Sequence, residues 1–212
     1  MIQKLDEINL RTATHWLTER DTALAFVFKK YSYPPLWARE PGFSTLLHII
    51  LEQQVSLASA NAAFNRLRAC LGTITPEGLL QLNDETLREI GFSRQKTAYA
   101  KTLATEITSG RLDLNRLSHL PDNEVRIILK QLKGIGDWTA DIYLSECLLR
   151  TDILPKGDIA MQEAFRVLYQ LPARPDHELF VERTRHWSPW RSVGTRLLWH
   201  FYMAERGGYS HL

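Results

Sequence analysis

Helical periodicity recurs along this chain, broken at short intervals by proline and glycine, and no other feature restricts its fold as much. Phe43, Leu46, Leu47, Ile50 and Gln54 follow the i, i+3, i+4, i+7, i+11 spacing of one helical face. Val125, Ile128, Leu129 and Leu132 repeat the pattern, as do Ala140, Tyr143, Leu144, Cys147 and Leu148. Further stripes run over Met161, Ala164, Phe165 and Leu168, and over Trp190, Val193, Leu197 and Phe201. Alternation of strand length is missing from the sequence. Breaks fall at Pro34-Pro35, Pro41-Gly42, Thr75-Pro76, Gly91, Gly110, Pro121-Asp122, Pro155 to Gly157, Pro172 to Pro175 and Pro189. The expected fold class is all-α, with many short helices.

A chain of 212 residues buries roughly 70% of its unfolded surface on folding, so it needs neither disulfide nor metal to form a core. Cys70 and Cys147 are the only cysteines. Two thiols cannot build a disulfide framework, a thiolate zinc site or a four-cysteine iron–sulfur cluster. The histidines show no metal-ligand pairing on one helix, and His48 reads as a core or pocket-edge residue. The N-terminal stretch carries charge from Lys4 onward and lacks an apolar signal core, and no uncharged apolar run approaches a membrane span. These features predict a cytoplasmic protein, or a nuclear one in a eukaryote, without a membrane partner. The net charge of +2, from 26 Lys and Arg against 24 Asp and Glu, neither requires nor excludes nucleic acid.

Residues 71–157 are expected to form a central helical subdomain, and residues 1–70 and 158–212 a second one made from both termini. A chain that leaves a subdomain and returns to it puts a cleft between the two, and ligand sites favour such clefts.

The most informative stretch is LKGIGDWTAD, from Leu132 to Asp141. A helix capped by Asp122 and running to about Lys133 is expected before it, and another helix starting near Asp137. Gly134 and Gly136 bracket a turn too tight for most side chains, since glycine tolerates positive φ and close backbone approach. A turn that opens into a helix N-terminus presents N–H groups and the positive end of the helix dipole, where a phosphate fits. Taken alone, a GxG turn of this kind is most simply a tight αα-hairpin that binds nothing.

The surrounding sequence adds weight. L-x-G-I-G-x-W-T-A resembles the helix-hairpin-helix motif of the DNA glycosylase superfamily. FSTLLHIILEQQVSLASANAAFNRL resembles that family's helix bearing a Q-Q/L-V-S element, and GFSRQKTAYAKTLA resembles its G-x-S-x-x-K-x-x-Y segment. WSPWRSVGTRLLWHFY resembles the ending of the 3-methyladenine DNA glycosylase II branch. The resemblance spans roughly Phe43 to Tyr202, and it implies a helix-hairpin-helix glycosylase fold of two helical subdomains. It further implies that the hairpin binds a DNA phosphate through backbone amides, around Gly134, Gly136 and Thr139. A sodium or potassium ion on hairpin carbonyls near Gly134 and Gly136 is part of the same implication, with no other cofactor.

The family's catalytic aspartate follows a proline after the hairpin, and LPKGDIAMQEAF supplies Asp158 at that place. An aspartate after glycine is also a common helix N-cap, and the two roles are compatible, because a helix N-terminus favours the ionised carboxylate. Breaking an N-glycosidic bond builds positive charge on the sugar, which a buried carboxylate stabilises. Trp138 lies about 160° around its helix from Ala140. The bifunctional glycosylases carry a Schiff-base lysine at that hairpin position, so the resemblance implies a monofunctional enzyme. Trp199, about 180° from Trp190, matches a tryptophan that stacks on the extruded base, whose cationic alkylated form an electron-rich ring attracts. Gln53 and Ile142 are expected beside these rings; some relatives carry an aromatic at the latter position. Gln54 stands where the insertion element often has an apolar wedge, and it would fill the gap left by a flipped base. Ser56, Lys133, Arg94 and Lys96 complete the expected DNA contacts. The expected function is therefore monofunctional release of alkylated purines from duplex DNA by a monomer. A non-enzymatic DNA-binding protein with the same motif and a glycosylase of other lesion specificity are the alternatives.

Overall fold

A computed structural model describes residues 4–206. Among them the regular structure is helical, apart from an isolated antiparallel bridge between Lys4 and Arg150. The chain divides into two compact units, one taking residues up to Ala38 and again from Leu144, the other running from Arg39 to Tyr143. Both crossings come earlier than the expected boundaries at residues 70 and 157. The reason is packing: helices over residues 43–71 lie on helices of the central unit. The segment after Leu144, in turn, pairs with the N-terminal strand-like residues through the Leu5 N–H to Leu149 carbonyl bond of 2.6 Å. The first three and last six positions of the expected terminal subdomain lie outside the described residues.

The terminal unit begins with α1 (Glu7–Thr18), whose N-cap Asp6 forms a capping box with Asn9, and α2 (Thr22–Tyr31), capped by Asp21. The central unit holds α3 (Phe43–Glu52), α4 (Leu57–Leu71), α5 (Pro76–Gln81), α6 (Asp84–Ile90), α7 (Arg94–Thr108), α8 (Leu114–Leu117), α9 (Asp122–Lys130) and α10 (Asp137–Ile142). Its caps are short polar side chains that accept first-turn N–H groups: Ser56, Thr75, Asn83, Ser93 and Asp113. α9 departs from expectation. Pro121 occupies its N-cap position and Asp122 is its first residue. Asp122 and Glu124 still place negative charge on the positive end of the helix dipole.

After α10 the chain passes through a π-helical turn over Tyr143–Cys147 and returns to the terminal unit. That unit is completed by α11 (Ile159–Leu168), α12 (His177–Arg183), a 3₁₀ turn over Arg185–Trp187 and α13 (Arg191–Glu205). α13 packs on α11, α2 and α1, and every residue from Ser192 to Phe201 is buried. The apolar stripe read from Trp190, Val193, Leu197 and Phe201 is therefore one side of a helix buried all round, and Trp190 sits at its N-cap. Around it a polar knot forms on Asp21. Its carboxylate accepts from Trp187 Nε1 at 2.8 Å, from the Ala23 and Leu24 N–H groups, and from the Tyr169 hydroxyl, and it pairs with His186. Burial pushes the Asp21 carboxyl up, but the bonds from Tyr169, Trp187, Leu24 and His186 outweigh that and hold it below its ordinary value.

Candidate functional site

In the central unit the two glycines of the hairpin serve different ends. Gly134 has φ +101°, and a Cβ there would lie 2.2 Å from Tyr99 Cγ, so the turn needs glycine both for its conformation and for the ring above it. Gly136 is extended, at φ −101° and ψ −171°, and no atom stands within 4 Å of where its Cβ would be. It is exposed, and it forms the N-cap of α10 without a side chain to cap it. The backbone there is open to a ligand. α9 ends at Lys130 rather than Lys133, which leaves Lys133 exposed in the turn.

Gln53 was expected beside the base; in the structure its side chain clips the hairpin. Its Nε2 donates to the Gly134 carbonyl and to Thr139 Oγ1, both at 2.8 Å. Thr139 is buried, so what it can offer a ligand at this helix start is its backbone N–H. Lys96 donates to the Leu51 carbonyl at 2.6 Å and thereby satisfies the C-terminal end of α3, and burial lowers its pKa. Arg94 is exposed at the start of α7, the helix that carries Lys96. Beyond α3, Gln54 is exposed in a left-handed conformation at φ +56°, followed by exposed Val55, the α4 N-cap Ser56 and exposed Leu57. A non-glycine residue in that region is uncommon and marks a turn held by its surroundings. Trp138 is half-buried and Ile142 buried on α10, which Arg126 ties to α9 through a 2.7 Å ion pair with Asp141.

In the terminal unit Asp158 caps α11, and it is 7% exposed. Gly157, at φ +78°, turns the chain into it. Its Oδ1 accepts the Met161 N–H at 2.8 Å and Trp199 Nε1 at 3.2 Å. The cap expected from sequence is present, and the indole partner is an addition that sequence reading did not supply. Trp37 is the second residue missed: its ring centroid lies 6.2 Å from that of Trp199, the planes 73° apart. Asp158 and Trp199 are thus brought together in one unit, while the other predicted residues all belong to the central unit. A concavity of about 660 Å³ over Phe26, Val167 and Phe201 shares no residue with the Asp158 cluster. Among the described residues no group of three or more His, Cys, Asp or Glu can hold a metal ion, and no helix is long and apolar enough to cross a membrane.

Residues 47–189 match the family model of the HhH-GPD superfamily base excision DNA repair proteins. This chain belongs to the HhH-GPD superfamily. Gln53, the hairpin and Asp158 lie within the matched span, while Trp37 and Trp199 lie outside it. DNA-3-methyladenine glycosylase 1 of Schizosaccharomyces pombe is 30% identical over 165 residues, 76% of this chain and 72% of that protein. Bacillus subtilis YfjP is 27% identical over 186 residues, and the match spans 84% of this chain and 65% of that protein. Among solved structures, the S. pombe 3-methyladenine DNA glycosylase Mag1 in complex with abasic DNA superposes with a TM-score of 0.85 at 27% identity, over 94% of this chain and 99% of that one. An HhH-GPD fold without strands among its described residues, as here, is consistent with that likeness.

Proposed function

We propose that this chain is a monofunctional base-excision glycosylase that flips alkylated purines of the 3-methyladenine type out of duplex DNA and hydrolyses their N-glycosidic bond. The observation that carries the reading is Asp158, buried at a helix N-terminus with its oxygen on the indole of Trp199. In the reaction the bond between C1′ and the base nitrogen breaks, and its electron pair leaves with the base. An N-alkylated purine is already cationic, so it departs neutral and needs no general acid. The sugar takes up the positive charge, which the Asp158 carboxylate stabilises until water adds to C1′ and loses a proton.

Trp199 stacks on the flipped base, and Trp138 and Ile142 belong to the base-recognition residues of this reading. The hairpin holds a backbone phosphate through N–H groups at Gly136 and Thr139, and Gln53 keeps the hairpin in shape for it. Gln54 and Ser56 approach the gap in the duplex, and Lys133, Arg94 and Lys96 add positive charge nearby. A monovalent cation on hairpin carbonyls belongs to this reading. The donor set suits one: the Gly134 carbonyl accepts from Gln53 Nε2 and the Leu132 carbonyl from the Ile135 N–H, and a carbonyl oxygen has two lone pairs. Such an ion would stiffen the turn and add positive charge toward the phosphate. The chain works as a monomer on chromosomal DNA, in the nucleoid or a nucleus.

The test is incubation with duplexes that each carry one defined lesion, 3-methyladenine and 7-methylguanine among them. Free base and an intact abasic strand are expected. Tight binding to every duplex with release from none would replace this reading with a non-enzymatic DNA-binding protein.

A further inference from the structure

Two ion pairs join α9 to α10 along one edge of the hairpin. Arg126 and Lys130 stand four residues apart on the first helix, Asp137 and Asp141 four apart on the second, so like charges share a helix face. In antiparallel order Arg126 meets Asp141, and Lys130 meets Asp137. The two bridges differ in their surroundings. The Asp141 side chain is 6% exposed, whereas that of Asp137 is 36% exposed and that of Lys130 44%. The inner bridge is the staple. The outer one is solvated at the open end of the hairpin, where an ion pair adds little stability, and holding the helices together does not require it.

Its position matters more. Asp137 directly follows Gly136, whose backbone is exposed and which has no side chain to cap the helix. Asp137 therefore supplies the negative charge that complements the first turn of α10. A DNA phosphate that comes to the same backbone brings the same charge. Carboxylate and phosphate compete, and Lys130, held by Asp137, directs its charge to the carboxylate instead of the DNA.

We infer that Asp137 is a brake on the hairpin's grip on the DNA backbone, and that Lys130 sets how strongly the brake acts. The inference rests on the proposed function and deepens it. A phosphate contact carries no information about the base, so limiting that grip shortens the stay on undamaged duplex and leaves recognition to the lesion.

The test compares the full chain with Asp137→Asn, Lys130→Met and the double variant, by fluorescence anisotropy with an undamaged and an abasic duplex over a series of salt concentrations. Asp137→Asn should bind both duplexes more tightly by the same factor, about 3- to 10-fold, the scale of one unit charge nearby in water. Its plot of log affinity against log salt should steepen by about one, because Lys130 is released to a phosphate. Lys130→Met should weaken binding by a similar factor and flatten the plot, and the double variant should return close to the wild type. Melting temperatures of the four chains should agree within about 4 °C. Binding by Asp137→Asn no tighter than wild type, or weaker binding in both single variants, as a mere staple would give, would overturn the inference and leave the proposed function standing. A wild-type chain that binds duplexes yet releases no base would remove the proposed function, while the affinity series would still decide the role of Asp137.

Discussion

Replacing each hairpin glycine by alanine separates what holds the turn from what the turn binds. At Gly134 an added methyl group meets Tyr99 Cγ at 2.2 Å, Cδ2 at 2.4 Å and Cδ1 at 2.6 Å. Ordinary contact begins at 3.4 Å, so the ring must retreat by at least 3.4 − 2.2 = 1.2 Å. These atoms lie at the root of the ring, which therefore cannot simply swing its tip aside. Overpacking of this kind costs about 1–3 kcal/mol, and the left-handed backbone at φ +101° adds about 1–2 kcal/mol for a residue with a Cβ. Gly134→Ala is thus expected to lose about 2–5 kcal/mol, which is about 4–20 °C in melting temperature for a chain of this size. Adding Tyr99→Ala should cancel the clash and leave only the backbone cost, a coupling that urea denaturation of the four chains measures. Gly136→Ala meets no atom within 4 Å in an extended backbone, so its stability should change by less than about 1 kcal/mol. Its methyl group would nevertheless occupy the approach to the α10 N–H groups. Losing one charge-assisted bond of about 1.5–3 kcal/mol weakens binding by about 10- to 100-fold, read by fluorescence anisotropy with an abasic duplex. Unchanged affinity in Gly136→Ala, or equal destabilisation by the two alanines, would refute this division of labour.

Three further outcomes follow from the same structure. Asp21→Asn should destabilise the chain by about 2–3 kcal/mol at neutral pH by weakening the bonds to Trp187, Tyr169 and His186. Because the folded carboxyl titrates below its unfolded value, the wild-type advantage is complete above about pH 5 and is lost as pH falls through the folded value; melting curves from pH 3 to 7 in which the advantage grows in acid would contradict it. Gln53→Ala should cost about 1–2 kcal/mol and also weaken abasic-duplex binding, since both hairpin contacts go; a hairpin that binds DNA equally well without them would show that the clip has no role in recognition. Borohydride added during turnover should trap no covalent adduct, because Trp138 is no amine nucleophile, and a protein–DNA band on a denaturing gel would assign a lyase step to a lysine elsewhere in the chain.

Much of this was legible in the sequence because it is local. Helical stripes, caps and breaks lie within a few residues of one another, and so the all-helical fold, the hairpin and the Asp158 cap could be placed. The elements of the site that were not legible are contacts between distant positions. Gln53 reaches the hairpin across 81 and 86 residues, and Trp199 reaches Asp158 across 41. No periodicity encodes such distances. The same holds for Tyr99 over Gly134, since nothing local in the segment around the tyrosine couples its ring to the hairpin. Trp199 lies off the stripe of Trp190, Val193, Leu197 and Phe201, yet α13 is buried from Ser192 to Phe201, so that offset carries no information about a ligand. The identity of the helix was readable; its central position was not. Trp37 gave no sequence signal at all, since a tryptophan after two prolines and a leucine reads as ordinary linker until its φ of +47° and the Arg196 bond to the Leu36 carbonyl are seen.

The central claim is that the Asp158 carboxylate acts on the sugar, and Asp158→Asn tests it most directly. Asparagine is as good an N-cap and keeps an acceptor for the Met161 N–H and the Trp199 indole, so folding and binding of an abasic duplex should be retained. Only the charge is lost. The single-turnover rate of 7-methylguanine release should fall by at least about 100-fold. A variant that binds the duplex and releases the base at the wild-type rate would contradict the account.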